Sequence, residues 1–170
     1  MPKDKIYLFH QTPPELAQKL IKHVNIINTD ILYEPFKGEG AFYNAFPQEN
    51  TKYYTEIEEG LDYLDFNITN IDWVITNPPF RLSINNKREN ACFNLLLYFS
   101  ERVNKGIAYL INYKCLASLT PLRIKKLEDK NLYLHKIVIC NIKKWRGRYY
   151  FLIFKKNEKS NLIDYIEGSY

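Results

Sequence analysis

Asn77-Pro78-Pro79-Phe80 is the stretch of this chain whose residue types point most directly to chemistry. Proline has no backbone N–H, so the segment presents carbonyl acceptors with few local donors to occupy them, on a backbone that is already fixed. The Asn77 side-chain oxygen and the Pro78 carbonyl can then accept both hydrogens of an exocyclic amine. Such bonds draw the amine nitrogen out of conjugation with its ring and aim its lone pair at an electrophilic methyl held opposite. Phe80 offers a face on which a planar base can stack. No strong base is required, because the proton is lost easily once the nitrogen has become cationic. The ordinary alternative for such a segment is a rigid loop that closes a strand.

Two acidic positions upstream narrow the choice. Glu34-Pro35-Phe36-Lys37-Gly38-Glu39-Gly40 follows a short apolar run. Gly38 and Gly40 allow a tight turn and close backbone approach to a ligand, and the helix expected after them supplies unpaired N–H groups. Residue 43 is Tyr, so the loop departs from the dinucleotide fingerprint. Glu34 at its start would repel a pyrophosphate and welcome a cation or an amine. Glu56 closes the next strand, where a carboxylate can accept both hydroxyls of a ribose. Glu58 and Glu59 follow at once, so an ordinary solvated acid is the competing reading. Together the two acids describe a ligand with a ribose and a positive charge but no phosphate, which suits S-adenosylmethionine better than NAD or ATP.

These residues need elements to hold them. The pattern predicts a helix from Pro13-Pro14, a buried strand at 31–33, a helix from Ala41, and a strand over 51–57. A short segment at 62–66 leads to a strand at 73–76, then a polar loop at 81–90 and an amphipathic helix from Ala91. A strand over 106–113 precedes a helix with Thr120 at its N-cap and Pro121 at its first position. Two strand-like runs joined by Lys143-Lys144-Trp145-Arg146-Gly147-Arg148 predict a hairpin, and 161–166 reads as a short helix. Strands alternating with helices predict an α/β, Rossmann-like, mostly parallel doubly wound sheet with a C-terminal antiparallel hairpin. Ligands of such sheets bind beyond the carboxyl ends of the strands, which is where Glu34, Glu56 and Asn77 fall.

The chain has 170 residues, of which 46% are hydrophobic, enough for one core. One catalytic domain over 1–156 and a polar tail over 157–170 are expected. No apolar run reaches membrane-spanning length and the amino terminus lacks a signal-peptide core, so a cytoplasmic location is predicted. Cys92, Cys115 and Cys140 sit in apolar segments and read as buried thiols, and the scattered His10, His23 and His135 argue against a metal. The formal charge of +5 permits a polyanionic partner without establishing one.

With these motifs in order, the chain resembles the amino-methyltransferases of the S-adenosylmethionine-dependent superfamily, particularly compact adenine-N6 DNA methyltransferases. The family's glycine loop usually opens Asp-Pro-Phe, and here Glu34 replaces the aspartate before Pro35 and Phe36. The resemblance implies that Glu34 reaches the cofactor's methionine amine, alongside Phe36, Gly38 and Gly40. It places Glu56 and the adjoining Ile57 at the ribose and Asp62-Tyr63 at the adenine, with Asp65-Phe66 a rival alignment. Gln11, Thr12 and Pro13 in the stretch HQTPPE resemble the family's amino-terminal element near the methionine end. Asn77, Pro78, Pro79 and Phe80 map to the catalytic tetrapeptide, with Asn77 also beside the cofactor.

Family members that read a DNA sequence carry a sizeable target-recognition domain, for which 81–155 leaves no room if it completes the sheet. Recognition is then loose, or supplied by a protein partner or a second copy. Arg81, Lys87, Arg88, Lys143, Lys144, Trp145, Arg146 and Arg148 are the candidates for nucleic-acid contact. The same catalytic motif also serves methyltransferases of cytosine N4 and of protein glutamine amides, and a catalytically silent nucleic-acid-binding subunit is the alternative outside enzymes.

Overall fold

The computed structural model describes residues 11–84, 87–143 and 145–163, with the side chains of 81–90 left aside. Pro13 caps the first helix, its carbonyl accepting from Leu16 and Ala17 N–H at 3.0 and 3.1 Å. Pro14 occupies the first turn of that helix, α1 (Pro14–Ile21), where its missing N–H costs nothing. Ala17, Leu20 and Ile21 form the helix's buried stripe.

After it come β1 (Ile31–Glu34), α2 (Ala41–Ala45), β2 (Thr51–Tyr54) and β3 (Ile71–Thr76). A small hairpin of β4 (Arg81–Ile84) and β5 (Lys87–Asn90) precedes α3 (Ala91–Ser100) and β6 (Val103–Asn112). The chain then forms α4 (Tyr113–Ala117), α5 (Pro121–Glu128), β7 (Leu132–Cys140) and β8 (Tyr149–Lys156).

Six strands make one sheet in the order β2-β1-β3-β6-β8-β7. The pairs β1–β2, β1–β3 and β3–β6 are parallel, and β8 runs antiparallel to both β6 and β7. The expected mixed α/β sheet is therefore present. The terminal hairpin is folded so that the later strand, β8, inserts between β6 and β7. Alternating side chains give the sheet two buried faces. Leu32, Trp73, Ile75, Ala108, Phe151 and Ile153 pack with α1 and α2 on one of them. Tyr33, Val74, Ile107, Tyr109, Leu152 and Phe154 pack with α3, α4 and α5 on the other.

Side chains close the amino edge of the sheet. The buried Asp30 accepts from Ile27 N–H at 3.1 Å and pairs with Lys105 at the start of β6. Asp72 accepts from Ile31 N–H at 2.9 Å, joining β3 to the start of β1. Asn50 donates to the Ile27 and Asp30 carbonyls at 2.7 and 2.9 Å.

Several expectations need correction. Within 81–90, expected as a polar loop, residues 81–84 and 87–90 pair antiparallel, with Arg81 opposite Asn90 and Ile84 opposite Lys87, separate from the main sheet. This segment therefore does not complete the sheet. The shortness of both strands and the polar composition of 87–90 hid a two-stranded ribbon. The strand expected to run through Tyr113 stops at Asn112, whose Oδ1 accepts from Cys115 N–H at 3.0 Å and starts α4. The N-cap preference of asparagine overrides the strand preference of tyrosine there. The expected strand over 51–57 ends at Tyr54, and residues 63–65 form one 3-10 turn. Cys92 and Cys115 are buried thiols and Cys140 is half-buried. Among the described residues no helix is long and apolar enough to cross a membrane. The expected tail helix begins at 161, where 161–163 are irregular, and its remainder lies outside the described residues.

Gly106 on β6 pairs with Trp73 of β3 on one side and Lys155 of β8 on the other. A Cβ there would sit 2.2 Å from the Phe154 carbonyl oxygen and 2.5 Å from the Trp73 ring. Backbone cannot yield as a side-chain tip can, so Gly106→Ala is expected to destabilise the protein by about 3 kcal/mol, the upper end of overpacking costs. Chemical denaturation checks this, with an unchanged midpoint as the contrary result.

Candidate active site

The strand order reverses at β1: the chain first adds β2 on one side and then β3 on the other. Neighbouring connections therefore leave the carboxyl ends of β1 and β3 on opposite faces and open a crevice between them. Glu34 is the last residue of β1, Asn77 directly follows β3, and Glu56 lies two residues beyond β2. All three sit along this edge.

Glu34 is 2% exposed, and its Oε2 accepts from Tyr43 N–H at 2.6 Å, capping the first turn of α2. Burial pushes its pKa well above the usual carboxylate range, the Tyr43 bond pulls it down, and the charge of Glu56 raises it again. Glu56 accepts from Gly38 N–H at 2.5 Å through Oε2 and from Glu58 N–H at 3.2 Å through Oε1. It thus ties the glycine loop to the end of β2. Each carboxylate oxygen carries two lone pairs, so this leaves acceptor capacity on both for a pair of hydroxyls. Lys37 is directed outward, to Glu59 at 2.5 Å and over the Tyr54 ring at 3.8 Å.

The turn itself needs its glycines. Gly38 and Gly40 have φ of +50° and +81°, which residues with a Cβ rarely adopt. A Cβ on Gly38 would also meet Gln11 Oε1 at 2.8 Å. That same oxygen accepts from Glu39 N–H at 3.2 Å. The next residue, Thr12, accepts from Asn77 Nδ2 at 3.2 Å. Two consecutive side chains, Gln11 and Thr12, thus join the glycine loop to the tetrapeptide, and Pro13 turns the chain into α1. Pro78 is buried, while Pro79 and Phe80 are half-buried.

The crevice wall beyond Glu56 is aromatic. The rings of Phe36 and Tyr63 meet edge to face at 5.0 Å, and Tyr63 meets Tyr98 at 5.5 Å. Asp62 accepts from Leu64 N–H at 2.9 Å and so starts the turn that presents Tyr63. The rival pair is used otherwise: Phe66 stacks on Tyr33 at 4.3 Å as part of the core, and Asp65 is exposed. Ile57 is 63% exposed at the rim.

The basic candidates divide. Arg81, Lys87 and Arg88 lie on the β4–β5 hairpin that directly follows Phe80. Lys143, Arg146 and Arg148 are exposed on the β7–β8 loop, and Lys144 lies outside the described residues. Tyr149 pairs with Asn112, so this loop stands at the same edge as Asn77. Trp145 is half-buried against Tyr149, with ring centroids 4.7 Å apart, and anchors the loop. Tyr113, 49% exposed just after β6, stands at this edge too, and the apolar run around it disguised it as strand.

No protein-family model matches the sequence, and neither does any curated protein. Solved structures do. A protein assigned as an RNA methyltransferase in Pyrococcus horikoshii superposes with a TM-score of 0.65 at 16% identity, over 91% of this chain and 89% of its own. The fold is that of the methyltransferases. One assigned as a class I S-adenosylmethionine-dependent methyltransferase in Listeria monocytogenes gives 0.63 at 13% identity, over 85% of this chain and 59% of its own. A modification subunit assigned to a type I restriction enzyme of Vibrio vulnificus gives 0.62 at 13% identity, over 89% of this chain. The chain spans 45% of that subunit, so it corresponds to under half of the larger protein.

In this methyltransferase fold Glu34 is a carboxylate held where ionisation is costly. Its folded-state pKa lies above the unfolded value, so between the two the folded chain binds more protons and stability falls as pH rises. Glu34→Gln keeps an acceptor for Tyr43 N–H and removes the charge. The variant is expected to melt higher than the parent at neutral pH, with the difference vanishing in acid below the usual carboxylate range. Melting curves across pH check this, and a lower melting temperature for the variant at neutral pH would contradict it.

Proposed function

We propose that the protein transfers a methyl group from S-adenosylmethionine to the N6 amine of adenine in nucleic acid, DNA ahead of RNA. The observation that carries this reading is the bridge from Gln11 and Thr12 to Glu39 and Asn77. It gives the acidic crevice and the amine-accepting tetrapeptide one shared wall.

The residues present suit the cofactor. Glu34 and Glu56 lie within electrostatic reach of each other, and a cation entering between them relieves their repulsion. The remaining acceptor capacity of Glu56 suits ribose hydroxyls, and Phe36 with Tyr63 suits an adenine ring. When bound, S-adenosylmethionine supplies a methyl group activated by its sulfonium. The protein's share is to hold the acceptor: Asn77 Oδ1 and the Pro78 carbonyl take the amine hydrogens, and Phe80 stacks on the base. The similarity in fold to a restriction modification subunit and to an RNA methyltransferase supports a nucleic-acid acceptor. So does the basic loop at the same edge.

Cofactor binding and turnover should separate. S-adenosylmethionine is expected to raise the melting temperature through linkage, in parent and Asn77→Ala alike. Turnover in Asn77→Ala should fall by about 10²–10³-fold, the loss typical of one preorganised hydrogen-bonding group acting in a transition state. Phe80→Ala should chiefly raise KM, with Phe80→Trp restoring it. Full turnover in Asn77→Ala would overturn the assignment of the tetrapeptide. No melting shift in the parent would overturn that of the crevice.

Glu34 couples this binding to pH. A cation is held by the ionised carboxylate, so affinity for S-adenosylmethionine should rise with pH through the raised pKa, and Glu34→Gln should bind weakly with a flat profile. Calorimetric titration across pH distinguishes this from a Glu34 that only caps α2, for which parent and variant would give parallel profiles.

A further inference from the structure

Tyr113 has no part in the reading above, yet it stands half exposed at the end of β6, the strand beside the one that carries Asn77 and Phe80. Its backbone N–H donates to the Arg148 carbonyl at 2.9 Å, which joins the β7–β8 loop to the first residue of α4. Gly147, with φ of +103°, lets that loop pass close to the ring: a Cβ there would lie 3.8 Å from Tyr113 Cδ1. Lys114 Nζ is 5.9 Å from the ring centroid. The loop is pinned from behind as well, since Trp145 packs on Tyr149 and the Tyr149 hydroxyl donates to the Arg146 carbonyl at 3.3 Å. The loop that bears Lys143, Arg146 and Arg148 is therefore held beside a half-exposed aromatic ring.

Charge on the two segments beside Tyr113 is of one sign. Residues 141–148 contain Lys143, Lys144, Arg146 and Arg148 with no acid, and α4 adds Lys114 with none. Aromatic faces interleaved with fixed cations are what a flexible polyanion of planar bases requires: stacking holds each base and the cations follow the phosphates. A neutral apolar partner would leave these charges desolvated and unpaired, which is costly.

We propose that Tyr113 is a stacking platform for a nucleotide next to the target base, and that with Lys114, Lys143, Arg146 and Arg148 it forms a track for single-stranded nucleic acid across the carboxyl edge of the sheet. Phe80 receives the extruded base in the neighbouring crevice, and Tyr113 receives a base that stays on the strand. The proposal rests on the nucleic-acid reading of the acceptor and adds to it where the flanking strand runs. It also explains how a chain can hold its substrate with little readout of base edges, because every base has a face to stack.

Fluorescence anisotropy with a labelled single-stranded, adenine-containing oligonucleotide over a salt series tests this. Tyr113→Ala and Tyr113→Leu should each weaken binding about tenfold without altering the salt dependence, and Tyr113→Trp should bind as the parent does. Replacing Lys143, Arg146 and Arg148 together by Gln should reduce the slope of log affinity against log salt by about 2, as loss of three phosphate contacts to a single strand implies. If Tyr113→Ala and Tyr113→Leu melt normally and bind within about twofold of the parent, which binds, the platform is wrong and the acceptor reading stands. If the parent binds neither DNA nor RNA, both fall.

Discussion

The parallel hydrogen bonding of β1 to β2 on one side and to β3 on the other governs the rest of the molecule. Once a strand is flanked in this way, the connections that follow leave on opposite faces of the sheet, the arrangement at which ligands of such sheets bind. Glu34, Glu56 and Asn77 need not find one another across the chain. Each ends or follows a strand of this group, and the pairing brings all three to one edge.

The two edges of the sheet are treated differently. At the amino edge, Asp30, Asn50 and Asp72 satisfy neighbouring backbone groups and tie strands together. At the carboxyl edge, a carboxylate is kept buried beside a second one, two glycines take left-handed backbone, and proline removes donors. Each of those features works against stability in isolation. Their concentration at one edge supports the proposal that chemistry takes place there.

Much of this was legible in the sequence, for identifiable reasons. Strands buried on both faces read as apolar runs, so 31–33 and 73–76 stood out, short of the strands' full extents by one residue and by two. The glycine turn and the proline pair have few backbone options, which made Glu34–Gly40 and Asn77–Phe80 readable in place. The β4–β5 pair was hidden because its strands are four residues each and 87–90 is wholly polar, and α4 because Tyr113 extends an apolar strand that Asn112 in fact ends. Long-range side-chain links were beyond reach too. The bonds from Gln11 to Glu39 and from Thr12 to Asn77 depend on how α1 docks against α2, a matter of packing rather than of any local pattern. The place of the β7–β8 loop was hidden likewise, since it depends on β8 inserting beside β6.

Direct analysis of the product decides the central claim most sharply. The purified protein would be incubated with S-adenosylmethionine carrying an isotopically labelled methyl group and a mixture of single-stranded DNA and RNA, and the nucleic acid digested to nucleosides for mass analysis. The account predicts label in N6-methyladenosine or its deoxy form, absent when Asn77→Ala replaces the parent. Label confined to cytosine, or found on protein and on no nucleoside, would contradict it.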